Sequence, residues 1–402
     1  MPKHTETSHR VAHITTIDMS LRYLLLNQLI SIQQDGYEVV GISTPGPNVE
    51  ALELNGIRHI PVKMTRSISP MQDLISLWQL YQLMRRERFT IVHTHTPKPG
   101  LIGQLAARLA RVPIIVNTVH GFYFHENMTP LKRHFYILME KIAARCSDII
   151  LSQNSEDINT AVREKICSPD KIKFLGNGID ITRFCRERLD VEVQAKKRAE
   201  IGLHDGPVVG FVGRLVVEKG IIELLEAMQI VKMRIPNVQL LIVGPIDKEK
   251  HDVLTPNIAG QYGLAESTFF TGMRQDMPEM YGLMDVFVLP SHREGFPRSP
   301  MEAAAMEVPC VVTDIRGCRE TVKHRENGLL VQLGDVQSLA ESIVRILTQE
   351  GLSQQMGCCG RQLAKERFDE HLVFKHIKAE YKRMLEAKGL RAPLAPHHEV
   401  LN

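Results

Sequence analysis

Two doubly wound α/β domains in tandem are the architecture this sequence predicts, and three observations predict it. Short apolar runs rich in β-branched residues alternate with helical segments, the pattern of a parallel sheet. A charged stretch over 183–200 breaks that rhythm once, after which it resumes. At 402 residues the chain is also longer than one hydrophobic core usually serves.

The first series of expected strands covers 11–14, 38–42, 57–62, 90–92, 113–116, 149–151 and 172–175. The stretch 183–200, dense in Lys, Arg and Glu, reads as a linker or surface helix. A second series follows at 208–212, 239–243, 269–270, 286–289, 310–312 and 329–331, and 353–387 reads as helical. The expected domains are therefore 1–185 and 186–370, with 371–402 carrying a final helix and then a flexible tail. The default site is the cleft between two such domains, because open α/β sheets bind ligands outside the carboxyl ends of their strands. There is no internal repeat of solenoid length and no low-complexity tract.

The composition, 44% hydrophobic and 24% charged, is that of an ordinary globular protein. The net charge of +3 is unevenly placed. Lys and Arg outnumber Asp and Glu by 21 to 16 through Cys185 and fall short by 28 to 30 after it. That excess is too weak for nucleic-acid binding, though it suits an anionic membrane surface. Seven cysteines without metal or disulfide spacing fit a reducing cytoplasm. Residues 1–10 are polar and no apolar run reaches membrane-spanning length, so the expectation is a protein that neither crosses a membrane nor carries an export signal.

The most informative stretch is 285–313, which reads as strand, loop, helix, strand. Glu294 lies in the loop and Glu302 in the first turn of the helix, eight positions apart. Ser299, Pro300 and Glu302 also spell a capping box, in which the Glu side chain returns to the Ser299 N–H; the alternative is a ligand role. Glu294 stands beside Gly295, where neither helix pairing nor core packing accounts for it; its plain reading is a solvated carboxylate.

Glu294-Gly295-Phe296-Pro297 followed by Glu302-Ala303-Ala304 and Pro309 resembles the Glu-x7-Glu signature of the retaining family 4 glycosyltransferases. That resemblance implies the GT-B fold, two Rossmann-like domains facing each other across a cleft. It implies that Glu302 holds the nucleotide ribose and that Glu294 lies against the transferred sugar, tasks suited to a carboxylate that accepts two bonds from a diol. Pro297 stands where many members carry Gly, so the amides of Phe296 and Arg298 are the ones left to meet the sugar. Gly272, Met273 and Arg274, which follow the expected strand 269–270, join the donor-binding set.

Residues 213–220, Gly-Arg-Leu-Val-Val-Glu-Lys-Gly, place Arg214 and Lys219 on a strand-to-helix turn, where backbone N–H groups and the helix dipole favour an anion. A solvated basic turn is the plain reading; the family's diphosphate element is what the stretch resembles. His120, just past the strand 113–116, matches a family histidine that points toward donor sugar and acceptor, although a lone His at a strand end is often structural. Asn177 and Asp180 lie in an Asn-Gly-Ile-Asp run that resembles a family motif and that also suits a tight turn. Thr15 and Thr16, in the loop after the first strand, lack the paired glycines of many members.

His93 and His95 share a strand face, but no third ligand has recognisable spacing, so a metal site is rejected. Asp-x-Asp, Gly-x-Gly-x-x-Gly after the first strand and the P-loop pattern are all missing, which disfavours metal-dependent GT-A, dehydrogenase and P-loop chemistry. The expectation is a metal-independent retaining glycosyltransferase without cofactor, with His120, Glu294, Arg214 and Lys219 as its catalytic set. The resemblance points to a UDP-sugar donor and a polyprenyl-linked bacterial glycan as acceptor. The acceptor-side domain would then rest on the inner face of the cytoplasmic membrane through 128–145, Trp78 and Arg85, Arg86 and Arg88. The final helix would cross back to the first domain. The alternatives are a non-hydrolysing nucleotide-sugar 2-epimerase and a non-catalytic nucleotide-sugar-binding protein.

Overall fold

The computed structural model describes residues 9–124, 128–247 and 252–393, so the expected tail beyond 393 lies outside the described residues. The chain divides into two compact units, one of Met1–Gly176 with Val373–Asn402 and one of Asn177–Leu372. The break falls after Gly176 rather than at 185. Ile179 forms a bridge with Asp369, and Gly178 lies so close to Glu370 that a Cβ there would stand 2.5 Å from its Cα, which ties 177–185 to the second unit.

The first unit holds β1 (Arg10–Ile17), β2 (Glu38–Thr44), β3 (Arg58–Pro61), β4 (Ile91–His95), β5 (Ile114–Val119), β6 (Ile149–Ser152) and β7 (Ile172–Phe174). They form one parallel sheet in the order β3-β2-β1-β4-β5-β6-β7. Alternate residues supply opposite faces, as strand geometry demands. Val11, Val39, Ile91 and Ile114 pack with Leu29 and Ile32 of the helix Leu26–Gln34 and with Phe374, Ile377 and Tyr381 of the helix Glu370–Ala387. Ala12, Val40, Val92 and Ile115 pack instead with Leu80 and Leu83 of the helix Pro70–Glu87 and Ile102 and Ala106 of the helix Pro97–Leu109.

The second unit holds β8 (Val208–Val212), β9 (Gln239–Val243), β10 (Thr268–Gly272), β11 (Val286–Leu289), β12 (Cys310–Thr313) and β13 (Gly328–Val331). They too form a parallel sheet, ordered β10-β9-β8-β11-β12-β13. In each sheet the winding reverses beside the first strand, between β1 and β4 and between β8 and β11. These are the topological switch points, where loops diverge and leave room for a ligand. The charged stretch 183–200 forms the surface helix Val191–Ile201, which buries none of its residues; Asp190 caps it and left-handed Gly202 ends it.

Candidate functional site

The loop after β8 and the loop after β11 leave adjacent strands at the switch point of the second unit. Gly220 adopts φ 74°, and a Cβ there would lie 2.0 Å from the Pro290 carbonyl oxygen, so only glycine lets the two loops close together. That approach sets Lys219, the last residue of a short 3-10 turn (Val217–Lys219), against Glu294: Nζ donates to Oε1 at 2.5 Å. The buried Ser291 hydroxyl donates to the same oxygen at 2.8 Å. Arg214, next to Gly213 on the same loop, donates from Nη1 to Asp247 at 2.7 Å.

Glu302 does not cap its helix. The helix is Arg298–Ala305 with Pro297 at the N-cap and no side-chain cap bond, so Ser299 already lies inside it and the expected capping box does not form. Pro297 holds φ −68° in the extended region, and the helix starts two residues earlier than the Ser299 cap would place it. Glu302 instead accepts from the Tyr281 hydroxyl at 2.9 Å, and Arg298 Nε lies 3.9 Å from its other oxygen. Tyr281 is fully buried, and burial together with the Glu302 carboxylate pushes its phenol well above the usual range, so it stays a donor.

Other expected residues separate into those brought to this place and those turned elsewhere. Asn177 Nδ2 donates to the Phe296 carbonyl at 2.9 Å, tying the Asn-Gly run to the Glu294 loop; the run makes no left-handed turn at Asn177. The Asp180 carboxylate closes its own local turn, accepting from the Thr182 and Arg183 amides. The Phe296 ring is core, packed edge-on to Phe368, which leaves only its backbone for a ligand, as with the neighbouring Gly295. Gly272 ends β10 at φ 68° and Met273 is exposed beside it, but Arg274 is turned onto Asp276 and Glu200, and the Arg274 guanidinium, joined by Lys197, holds the Asp276 carboxyl far below its usual range.

In the first unit, Thr16 Oγ1 lies 3.1 Å from Thr96 Oγ1 across the switch point, and Thr15 Oγ1 donates to the Ile17 carbonyl. Thr96 takes φ 65°, ψ 155°, a conformation a β-branched residue adopts only under constraint, at the start of the helix Pro97–Leu109. His120 Nδ1 pairs with Gln153 Oε1 at 3.1 Å and Nε2 with His95 Nδ1 at 3.2 Å. Loss of water around the ring lowers its pKa to about 4, so it is neutral at physiological pH.

Spacing along the chain offers His93 and His95 no third ligand, but the fold brings a third histidine to them. His13, directly opposite His93 in the β1–β4 register, brings its ring to both, and ligand atoms of the three lie within 4.8 Å of one another. A residue 80 positions upstream cannot be found by ligand spacing; only strand pairing brings it near. Every ring nitrogen of the three is nevertheless engaged in a hydrogen bond, so an ion would have to displace those bonds. Sequence reasoning also missed Tyr281, Ser291, Asp247 and Thr96. Only Ser291 carried a local signal, being three residues before Glu294 in the same loop.

The family described as "Glycosyl transferases group 1" matches residues 193–363, and "Glycosyl transferase 4-like" matches 13–154. The capsular polysaccharide biosynthesis glycosyltransferase CapM of Staphylococcus aureus is 30% identical over 395 residues, 95% of this chain and 99% of that protein. The UDP-Gal:alpha-D-GlcNAc-diphosphoundecaprenol alpha-1,3-galactosyltransferase of Escherichia coli is 30% identical over 367 residues, 90% of this chain and 94% of that protein. Among solved structures, Anabaena HepE in complex with UDP and glucose has a TM-score of 0.80 at 20% identity, covering 93% of this chain and 100% of that one.

Proposed function

The chain belongs to the group 1 glycosyltransferases, with the GT-B fold, and from that premise we propose that it transfers a sugar from a UDP-activated donor to a polyprenyl-diphosphate-linked glycan in bacterial surface-polysaccharide synthesis. The observation that carries the reading is the Lys219–Glu294 pair at the switch point of the second sheet. One ammonium and one carboxylate held side by side suit the diphosphate and the hydroxyls of the same donor. Lys219 has three N–H donors, of which the ion pair takes one.

Arg214 and Lys219 stabilise the departing diphosphate by preorganised charge. Glu302 accepts from the ribose hydroxyls, Glu294 and the amides of Phe296 and Arg298 meet the sugar, and Asn177 braces that loop. His120, Thr15 and Thr16 belong to the acceptor side. The configuration is retained: the bond from the anomeric carbon to the diphosphate breaks, the acceptor oxygen bonds to the same face, and its proton passes to a phosphate oxygen of the leaving UDP. The cations of the chain neutralise that leaving group, so no divalent ion is required.

The acceptor's lipid anchor calls for a membrane surface. No helix among the described residues is long and apolar enough to cross one. The helix Pro70–Glu87 exposes Met71, Leu74, Ile75 and Trp78 at helical spacing, and the helix Pro130–Cys146 exposes Leu131, Phe135 and Leu138. Both flank the helix Pro97–Leu109. Exposed Lys132, Arg145, Arg85 and Arg86 accompany them, whereas Arg133 is paired with Glu164 at 2.6 Å and is not counted. These stripes fit an anionic lipid surface on the cytoplasmic side.

The test is UDP release by the purified protein from UDP-Gal, UDP-Glc, UDP-GlcNAc and UDP-GalNAc, with and without a polyprenyl-linked acceptor and with and without EDTA. Acceptor-dependent, EDTA-resistant release is expected. A free epimerised sugar nucleotide formed without acceptor would make the chain an epimerase, and binding without turnover a non-catalytic protein.

A further inference from the structure

Six hydrogen bonds join Thr118, His93, Tyr381, His13, His95, His120 and Gln153 in one unbranched chain. The contacts are Thr118 Oγ1 to His93 Nε2 (2.7 Å), His93 Nδ1 to Tyr381 Oη (2.6 Å) and Tyr381 Oη to His13 Nε2 (3.3 Å). They continue from His13 Nδ1 to His95 Nε2 (3.0 Å), His95 Nδ1 to His120 Nε2 (3.2 Å) and His120 Nδ1 to Gln153 Oε1 (3.1 Å). Thr118, His93, Tyr381, His13 and His95 are all fully or almost fully buried, and the links come from β1, β4, β5 and the helix Glu370–Ala387.

A neutral imidazole has one donor and one acceptor, so fixing one end of such a chain fixes every member. Gln153 presents a carbonyl oxygen, which only accepts; His120 therefore donates from Nδ1 and accepts at Nε2. The same step repeats through His95 and His13. Tyr381 must then donate to His13 and accept from His93, and the Thr118 hydroxyl donates into His93. The register closes without one conflict, with all four histidines in the Nδ1–H form and every bond pointing toward Gln153. Burial holds His13 near a pKa of about 3 and His93 and His95 well below the usual histidine range, consistent with neutral rings.

We propose that this buried chain sets the proton register and the ring plane of His120, with His95, Tyr381 and Gln153 as positioning residues for the transferase reaction. The proposal rests on the transferase reading for its functional half only. Both nitrogens of His120 are spent within the chain, so His120 is a fixed neutral surface and not a base that takes the acceptor proton. The terminal helix, nearly three hundred residues from His93 in sequence, contributes through Tyr381 to the order of this site.

Nitrogen-15 NMR of the histidine side chains in the intact protein, together with kcat and KM, decides the matter. Wild-type protein is expected to show the Nδ1–H form at residues 13, 93, 95 and 120 alike. Gln153→Leu, which removes the terminal acceptor at similar size, should give mixed tautomers at His120. Tyr381→Phe, which keeps the ring packing, should release His93 from the common register. Both should lower kcat about tenfold, the scale of losing an outer partner of a functional histidine, with the donor KM unchanged. Any one histidine found in the Nε2–H form in wild-type protein overturns the chain, as does stoichiometric zinc bound by these histidines in the purified protein. Normal kcat in both variants with tautomers disturbed overturns the functional half. If no donor supports turnover, the NMR result still judges the chain while the transferase reading fails alone.

Discussion

Tyr281 reaches from the helix Met277–Gly282 to donate its hydroxyl to Glu302 at 2.9 Å, and so holds that carboxylate in place without any help from the helix cap. A second acceptor oxygen stays available for a diol. Glu302→Gln keeps an oxygen for Tyr281 but loses the charge. It is expected to weaken UDP binding by about 1.5–3 kcal/mol, roughly tenfold or more, while the melting temperature shifts by little. Titration calorimetry beside thermal melting checks this; unchanged UDP affinity refutes the ribose role.

Lys219 and Glu294 are mutually dependent, with side chains 19% and 9% exposed. Lys219→Ala should weaken UDP binding by about 1.5–3 kcal/mol and also lower stability, because it leaves Glu294 with Ser291 as its remaining partner in the pair. Arg214→Ala should weaken UDP with a smaller loss of stability, since Arg214 is 38% exposed. If neither variant binds UDP more weakly, the diphosphate assignment fails.

Membrane association is expected to depend on the outward stripe of the helix Pro70–Glu87. Trp78 is 57% and Leu74 63% exposed, so replacing both by Glu adds charge without opening the core. Cosedimentation with anionic liposomes at low salt should be abolished, as it should in Lys132→Glu with Lys141→Glu, while UDP binding is kept. Wild-type protein that stays in the supernatant would point to a soluble acceptor.

Acid should destabilise the first unit early. His13, His93, His95 and His120 are held neutral in the fold with depressed pKa values, whereas in the unfolded chain they titrate near the ordinary value of about 6.5. The unfolded state then binds more protons, so their contribution is intact above pH ~6.5 and declines as pH falls toward the folded values. Each costs at most about 1.4 kcal/mol per pH unit in that window. Melting temperatures between pH 7.5 and 5 should therefore drop steeply, well above the carboxylate range; a flat profile to pH 5 would show that these rings are not buried neutral.

The sequence by itself determined the two sheets, because parallel strands buried on both faces must be continuous apolar runs, and such runs are local. Expected strands at 208–212, 239–243 and 286–289 coincide with β8, β9 and β11. It also marked Glu294, Glu302, Arg214 and Lys219, whose flanking Gly and Pro residues belong to the same short loops. Partnership was decided only by the tertiary structure. The Ser299–Glu302 pattern was locally consistent with a cap, yet the extended conformation of Pro297 started the helix earlier and gave Glu302 to Tyr281. Arg274 and Arg214 looked equally available, yet the fold pairs both, Arg274 with Asp276 and Glu200 and Arg214 with Asp247. His13, His93 and Tyr381 meet only because β1 pairs with β4 and the last helix packs on the same sheet face. Hydrophobic periodicity says which face a side chain takes, but not which residue from a distant strand will stand opposite it.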